Sequence, residues 1–599
     1  MRDTIVAELR RVIGAEAVLT DNAACVAAGT DFITERGIPG AVACPASSEQ
    51  VAALVGFAAE QGVELIPRGA GTNLAAGMAP TDDSLVLDLS GMNRILSVDP
   101  QSRRAVVEPG VINADLKNRV ASAGLVYAPD PASTPISTIG GNIAENAGGP
   151  GCIKYGVTFH HVLALQVALA DGRLVTFDQH DEVDLLGLMV GSEGTLGVVT
   201  RAVLNLLPIP TARWTALAAF DRIEDAAATV SEIIAAGVLP AALEICDRRS
   251  IELCEAYLSC GYPTDREAIL FVELDGDADD VGRDAADLER VLRRWNRDLR
   301  TATDDAERAA LWEGRLAAMH AYKATGKEVF VCDATVPRQR LPEMIERARQ
   351  IAASLALDVA TVGHAGDGNL HPVILYKPDQ LETVDAGASE IAAAALDLGG
   401  TLTGEHGIGT AKLEQMRHQF GPVELAAFRA IKRAFDPGGV LNPRVMLPPP
   451  EPHEPELPAF GQAVAAALAG RTPAAREPPI DSHCDRAISI DAENMTLTAG
   501  GAASSHDAAA AAQAAGLSCP AMATDATVAR LIEGSGNREP ARAALLGIDA
   551  VLAGGHRARF GSAAMKDVAG LDAKRLVAGG RGAFGRVERA ILRAVPHRH

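Results

Sequence analysis

"PRGAGTNLAAG", residues 67–77, follows the apolar run "VELI" and carries three glycines. Glycine lets backbone amides crowd against a diphosphate, and Arg68, Thr72 and Asn73 are donors at hand. A simple turn would need no more than this. The stretch is not a P-loop, because no Gly-Lys-Ser/Thr follows, and it does not open a helix as a GxGxxG fingerprint does. A second glycine-rich stretch, "STIGGNIAENAGGPGCIKYG", spans 137–156, and a third, "GSEGTLG", spans 191–197. Three such loops in one domain imply a long diphosphate-bearing cofactor lying across it.

Around these loops, residues 37–210 read as strands ("AVACPAS", "VELIPRGAG", "SLVLDLS", "RAVVEPGV") and helices ("SEQVAALVGFAAEQG", "NADLKNRVASAG"), a nucleotide-binding α/β or α+β pattern. Residues 1–36 open with an amphipathic helix. From 211 to 300 the rhythm becomes strand, helix, strand, strand, helix, which predicts an antiparallel sheet with helices on one face. Helix and loop alternate through 340–436, so 211–447 reads as a second, cap-type domain. "LPPPEPHEPELP", 447–458, opens a Pro-rich linker over 448–485. Beyond it "GSEGTLGVVTRAVLNLLP", 191–208, recurs as "GGRGAFGRVERAILRAVP", 579–596, with eight identities in eighteen ungapped positions. Residues 486–599 are therefore expected to be a reduced copy of part of the first domain.

The net charge of −22 on 599 residues, 48% of them apolar, describes a globular chain that does not bind nucleic acid. Residues 541–599 alone carry eleven Lys or Arg against four Asp or Glu, the mark of a docking surface. No apolar run nears the ~20 residues of a membrane helix, and the N-terminus lacks the pattern of a signal peptide. At most a peripheral membrane contact is expected. The nine cysteines form no Cys-x-x-Cys pair, which excludes the common zinc and iron–sulfur spacings and suits a reducing cytoplasm.

"GHAGDGNLHP", residues 363–372, sets His364 and His371 at the two mouths of a Gly/Asp/Asn run. It reads either as a polar surface turn or as part of a metal site. "TGEHGIGTAK", 403–412, adds Glu405 and His406. Two histidines and one carboxylate form a common facial site for a divalent metal, with positions left open for substrate.

"PRGAGTN", "STIGGNIAENAGG", "GSEGTLGVVT", "GHAGDGNLHP", "GEHGIG" and "FDPGGVLNP" occur in this order over residues 20–447. Together they resemble the FAD-linked oxidases of the vanillyl-alcohol-oxidase (PCMH) superfamily. Within it the resemblance is strongest to the FAD subunits of glycolate oxidases and to D-lactate and D-2-hydroxyglutarate dehydrogenases. The resemblance implies an α+β fold: a two-lobed FAD domain under a ferredoxin-like antiparallel cap. It implies that Pro67, Arg68, Gly69, Ala70, Gly71, Thr72 and Asn73 hold the diphosphate of a non-covalent FAD. Thr138, Gly140, Gly141, Asn142 and Asn146 would line the flavin, Glu193, Gly194 and Val199 would meet the adenosine half, and Asn442 would reach the flavin.

By the same resemblance His364, His371 and Glu405 bind a divalent metal (Zn, Mn or Fe), His406 is the catalytic base, and Arg315 pairs with the substrate carboxylate. The implied reaction is oxidation of a small 2-hydroxy acid, with an iron–sulfur subunit as electron partner. Asp333 sits in the neighbourhood of "VCDATVP" where some dicarboxylate-using relatives carry a Lys; an anion there would repel a second carboxylate and so favours glycolate or D-lactate. An oxygen-using oxidase without a metal, a D-2-hydroxyglutarate dehydrogenase and a non-catalytic subunit are the alternatives. Residues 486–599 resemble the second, FAD-domain-like subunit of glycolate oxidases. In this copy Ala529 and Arg530 stand for Gly140 and Gly141, and Arg581 for Glu193, so it is expected to bind no flavin.

Overall fold

A computed structural model of the chain describes residues 1–32, 37–295, 298–471, 485–519, 522, 526–533, 543–580 and 582–597. The first lobe is a four-stranded sheet. Ala41–Ala43, Leu85–Asp88 and Leu65–Arg68 run parallel, and Val18–Leu19 pairs antiparallel at the edge. Its main helix, Ser48–Gln61, starts where the Ser47 side chain accepts from the Gln50 N–H. It stops at Gly62, whose φ of 65° suits a residue without a Cβ. Val51, Leu54, Val55 and Ala58, spaced for one helical face, are all buried. The N-terminal helix Asp3–Ile13 adds Ile5, Leu9 and Ile13 to the same core, so the opening segment belongs to this lobe.

The second lobe is a five-stranded antiparallel sheet in the order Ile95–Asp99, Arg104–Val107, Val198–Asn205, Val162–Ala168, Leu174–Asp178. Along Val198–Asn205 buried and part-exposed residues alternate, as one face meets the core and the other does not.

The cap is an eight-stranded sheet whose neighbouring strands all run antiparallel. Its helices cover both faces, not one. Ile223–Ala235, Ala278–Trp295, Leu341–Ser354 and Leu381–Asp397 enclose one core, and Arg248–Leu258, Asp305–Leu316 and Ala318–Lys323 a second. The cause is visible in Ala268–Gly276, whose first seven residues are buried: a strand apolar on both sides needs a layer on each.

The C-terminal copy repeats the second lobe strand for strand: Ile488–Asp491, Thr496–Gly500, Gly585–Arg593, Leu545–Leu552, Arg557–Gly561. A small ladder recurs too, Leu125–Val126 with Leu207–Pro208 in the first copy and Leu517–Ser518 with Val595–Pro596 in the second. So does a single antiparallel bridge, Ile112 to Thr138 and Ser504 to Thr527. That bridge sets Gly140 against Ala529 and Gly141 against Arg530. Gly140 donates its N–H to Pro109, and Ala529 donates to Gly501. A Cβ on Gly140 would come within 2.7 Å of Pro109 Cβ, whereas in the second copy the glycine is the partner, Gly501. Bulk has moved from one side of the contact to the other, so the second copy keeps the backbone hydrogen bond with a filled glycine position. Arg581 lies outside the described residues.

The linker contains structure. Helix Pro458–Leu468 packs on helix Pro422–Phe435, and Phe460 is fully buried against Phe584, ring centroids 6.3 Å apart. One apolar core runs from the second lobe through residues 392–464 into the C-terminal sheet. Phe460→Ala should therefore cost on the order of 3 kcal/mol and lower the thermal midpoint of the whole chain. A C-terminal transition that moves alone, followed by calorimetry, would show that the core is not shared.

Candidate functional site

"GHAGDGNLHP" is a β-hairpin. Asp358–His364 pairs with Asn369–Tyr376, with His364 opposite Asn369 and Val362 opposite His371. Opposed residues and residues two apart share a face, so His364, Asn369 and His371 point the same way. Glu244, on Ala242–Asp247, lies opposite His364 on the neighbouring strand and joins that face. Gly368 makes the turn possible: its φ is 81°, and a Cβ would lie 2.0 Å from the Val336 carbonyl oxygen. The histidines thus sit on strands, one at the end and one inside, and the bend is confined to the residues between.

Glu405 and His406 lie in an irregular segment with no ladder to hold it. Asp333 holds it instead. Its Oδ2 accepts from Thr403 Oγ1 at 2.5 Å and from the N–H groups of Gly404, Glu405 and His406 at 2.9, 3.0 and 2.9 Å. Its Oδ1 accepts from Asn369 Nδ2 at 2.6 Å, tying the loop to the hairpin. Burial alone would raise the Asp333 pKa, but His406, Lys412 and His371 hold it far below the usual range. Asp333 therefore anchors the backbone and does not face a substrate, and the argument from its charge to substrate choice falls.

His364 Nε2 and His371 Nε2 converge on Glu405 Oε1 at 3.2 and 3.1 Å. All three side chains are at most 12% exposed. His364 Nδ1 lies 2.6 Å from Glu244 Oε1, a carboxylate of the kind that would orient the ring if it held a metal. Three donor atoms within 4.8 Å of one another, one of them oriented by a buried carboxylate, fit a divalent cation. The His406 ring stacks on His371 at 4.9 Å and 9°. Burial outweighs Asp333 and depresses its pKa to about 4, so it is neutral at pH 7. Its Nδ1 is buried without a partner. Arg315 lies in the last turn of helix Asp305–Leu316 and donates from Nη2 to Glu244 Oε2 at 2.7 Å, on the carboxylate that faces His364; its Nε is buried without a hydrogen-bond partner.

Ser137 Oγ and Glu145 Oε2 are buried without a hydrogen-bond partner, and Lys412 Nζ, also without one, lies 3.8 Å from Asp333 Oδ2. Such orphans fit a polar group lying between the lobes. The loops themselves press close, since a Cβ on Gly69 would lie 2.3 Å from Thr138 Oγ1. Two loop side chains have other work than the sequence suggested. The Arg68 guanidinium donates to the carbonyls of Ala27, Ala28, Thr30 and Gly69, and offers little to a diphosphate. Glu193 accepts from the Ile408 and Gly409 N–H groups at 2.7 and 2.8 Å, joining the lobe to "GEHGIG". Burial lifts its pKa to about 7. Asn442 donates to the carbonyls of Gly77 and Glu193, closing the same junction. Glu193, Asn146 and Asn442 have φ of 49°, 52° and 40°, a left-handed backbone that non-glycine residues seldom adopt.

Glu244 was missed in the sequence, although a carboxylate inside the apolar run "ALEIC" is a readable signal. Lys566, which reaches Glu405 Oε2 at 3.0 Å, gave none. His161 Nε2 lies 2.9 Å from the Tyr155 carbonyl, His160 Nε2 lies 3.2 Å from the Ala543 carbonyl, and burial depresses both pKa values.

Residues 39–178 match the FAD binding domain family, and residues 209–446 match the family of FAD linked oxidases, C-terminal domain. The glycolate oxidase subunit GlcD of Bacillus subtilis is 40% identical over 69% of this chain and 89% of its own length. A D-lactate dehydrogenase of Archaeoglobus fulgidus is 34% identical over 67% and 89%. The solved structure of p-cresol methylhydroxylase superposes with a TM-score of 0.62 over 74% of this chain and 96% of that one, at 18% identity. The chain belongs to the FAD-linked oxidases of the PCMH-type fold.

Asp333→Ala removes a buried acceptor of five hydrogen bonds and leaves the donors unmatched. It should destabilise the fold by about 3 kcal/mol or more while FAD-domain secondary structure persists, as thermal unfolding and circular dichroism will report. An unchanged midpoint would deny Asp333 the anchoring role.

Proposed function

We propose that this FAD-linked oxidase is a 2-hydroxyacid dehydrogenase that oxidises glycolate or D-lactate to the 2-oxo acid and passes the electrons to a separate acceptor. The observation that carries the reading is the convergence of His364, His371 and Glu405 beside a neutral His406, on the cap face turned toward the FAD-type loops. The relatives named glycolate oxidase subunit and D-lactate dehydrogenase supply the substrate class.

FAD, when bound, supplies the hydride acceptor, and a divalent metal supplies Lewis acidity toward the substrate oxygens. Pro67, Gly69, Ala70, Gly71, Thr72, Asn73, Thr138, Gly140, Gly141, Asn142, Asn146, Gly194, Val199 and Asn442 would hold the first. His364, His371 and Glu405 would hold the second. His406 takes the hydroxyl proton on Nδ1, which has no competing partner. Asp333 fixes its backbone, so the ring stays against His371. Arg315 keeps the Glu244–His364 pair in place and has Nε left to meet the substrate carboxylate. A relative named as a subunit points to partner chains, and an iron–sulfur protein suits a chain without Cys-x-x-Cys spacing of its own. Among the described residues no helix is long and apolar enough to cross a membrane.

Anaerobic addition of glycolate or D-lactate to the yellow protein should bleach the flavin within seconds. A flavin that none of glycolate, D-lactate, L-lactate and D-2-hydroxyglutarate bleaches would sink the proposal. His406→Ala should keep the flavin spectrum and slow its reduction by about 10²–10⁴-fold; full-speed reduction removes His406 as base. Chelator treatment should abolish bleaching, and added Zn²⁺ or Mn²⁺ should restore it. Undiminished rates in metal-free protein would leave the histidines structural.

A further inference from the structure

We infer that the C-terminal repeat completes the active site in cis, with Lys566 acting as a positioning residue for the metal ligand Glu405. The two oxygens of Glu405 have different surroundings. Oε1 faces the Nε2 atoms of His364 and His371. Oε2 accepts from Lys566 Nζ at 3.0 Å and from the Gly149 N–H at 3.1 Å. Lys566 is 1% exposed at its side chain and comes from residues 486–599, whereas every other group at the site lies before residue 447. Its ammonium also sits 3.2 Å from Asp367 Oδ2 and 3.5 Å from Asn369 Oδ1, both in the hairpin that carries the histidines. One buried cation thus bridges the hairpin and the "GEH" segment.

The repeat touches each loop of the site around that lysine. Asp567 accepts from Thr401 Oγ1 at 2.9 Å, and the Val568 N–H donates to the Thr403 carbonyl at 3.1 Å. The Arg338 N–H donates to Asn494 Oδ1 at 2.9 Å and its Nε to the Glu493 carbonyl, while Nη1 reaches Gly366 in the hairpin turn at 2.8 Å. Arg593 donates to the Ile153 carbonyl on the FAD side. A carboxylate with one oxygen held by an ammonium and a backbone N–H cannot rotate, so it presents a single oxygen to the imidazoles. Partners of this kind behind a metal ligand set affinity by about 10- to 100-fold when removed.

The inference rests on the metal reading of His364, His371 and Glu405, and one experiment separates the two. Zn²⁺ binding to the full-length, FAD-loaded protein is measured by competition with a chromogenic chelator, with flavin content and thermal midpoint recorded alongside. Lys566→Met, and Lys566→Gln should the first not fold, are expected to keep the flavin and weaken Zn²⁺ binding by about 10- to 100-fold. Lys566→Arg should recover most of the loss. Equal affinity in the Met and Gln variants would overturn the inference and leave the metal site standing. Tighter binding would overturn it as well, because Lys566 would then compete with the metal for Glu405. A parent protein that takes up no Zn²⁺ would overturn the metal reading and this inference together.

Discussion

A buried carboxylate needs partners, and Asp333 has five. The geometry of the site follows from that requirement. The segment 403–406 has no strand or helix to hold it, yet it must set Glu405 and His406 against two histidines on a rigid hairpin. Asp333 collects its N–H groups with one oxygen and grips the hairpin through Asn369 with the other. Gly404 permits the approach, since a Cβ there would lie 2.2 Å from Thr335 Oγ1. Glu193 does similar work one turn later for Ile408 and Gly409. Two acidic side chains on different domains thus shape the backbone of "GEHGIG" from opposite sides.

The charge arrangement follows the same logic. Glu244, Asp333, Asp367 and Glu405 are buried within one small volume, where uncompensated anions are costly. Arg315, Lys412 and Lys566 are the cations that answer them, with the histidines between. Burial favours a proton on each carboxylate, and these cations and imidazoles reverse that tendency for Glu244, Asp333 and Glu405. One of the three cations belongs to a domain that duplicates the second lobe. The duplicate differs from the original in two respects: Ala529 and Arg530 stand at the glycine positions, and the Lys566 ammonium reaches Glu405 and Asp367.

Much of the fold was legible. The glycine loops, the strands that precede them and the helix "SEQVAALVGFAAEQG" stand where periodicity and capping put them. The eight identities between 191–208 and 579–596 correspond to matching strands in sheets of the same order. The cap's second helical layer was not legible, because a strand buried on both faces gives no alternation to count. Nor was the role of Arg68 or Glu193. A side chain in a ligand-type loop looks the same in sequence whether it meets a ligand or the backbone of a distant segment.

The sequence by itself determined the family, the three glycine loops and the identity of the two histidines and one carboxylate. These depend on local backbone demands and on residue chemistry, both of which are written in short motifs. Only the tertiary structure decided which oxygen of Glu405 faces the histidines, what holds the loop that carries it, and that residue 566 belongs to the site at all. Lys566 and Glu405 are 161 residues apart. No local rule links such positions; the packing of one shared core brings them within hydrogen-bonding distance.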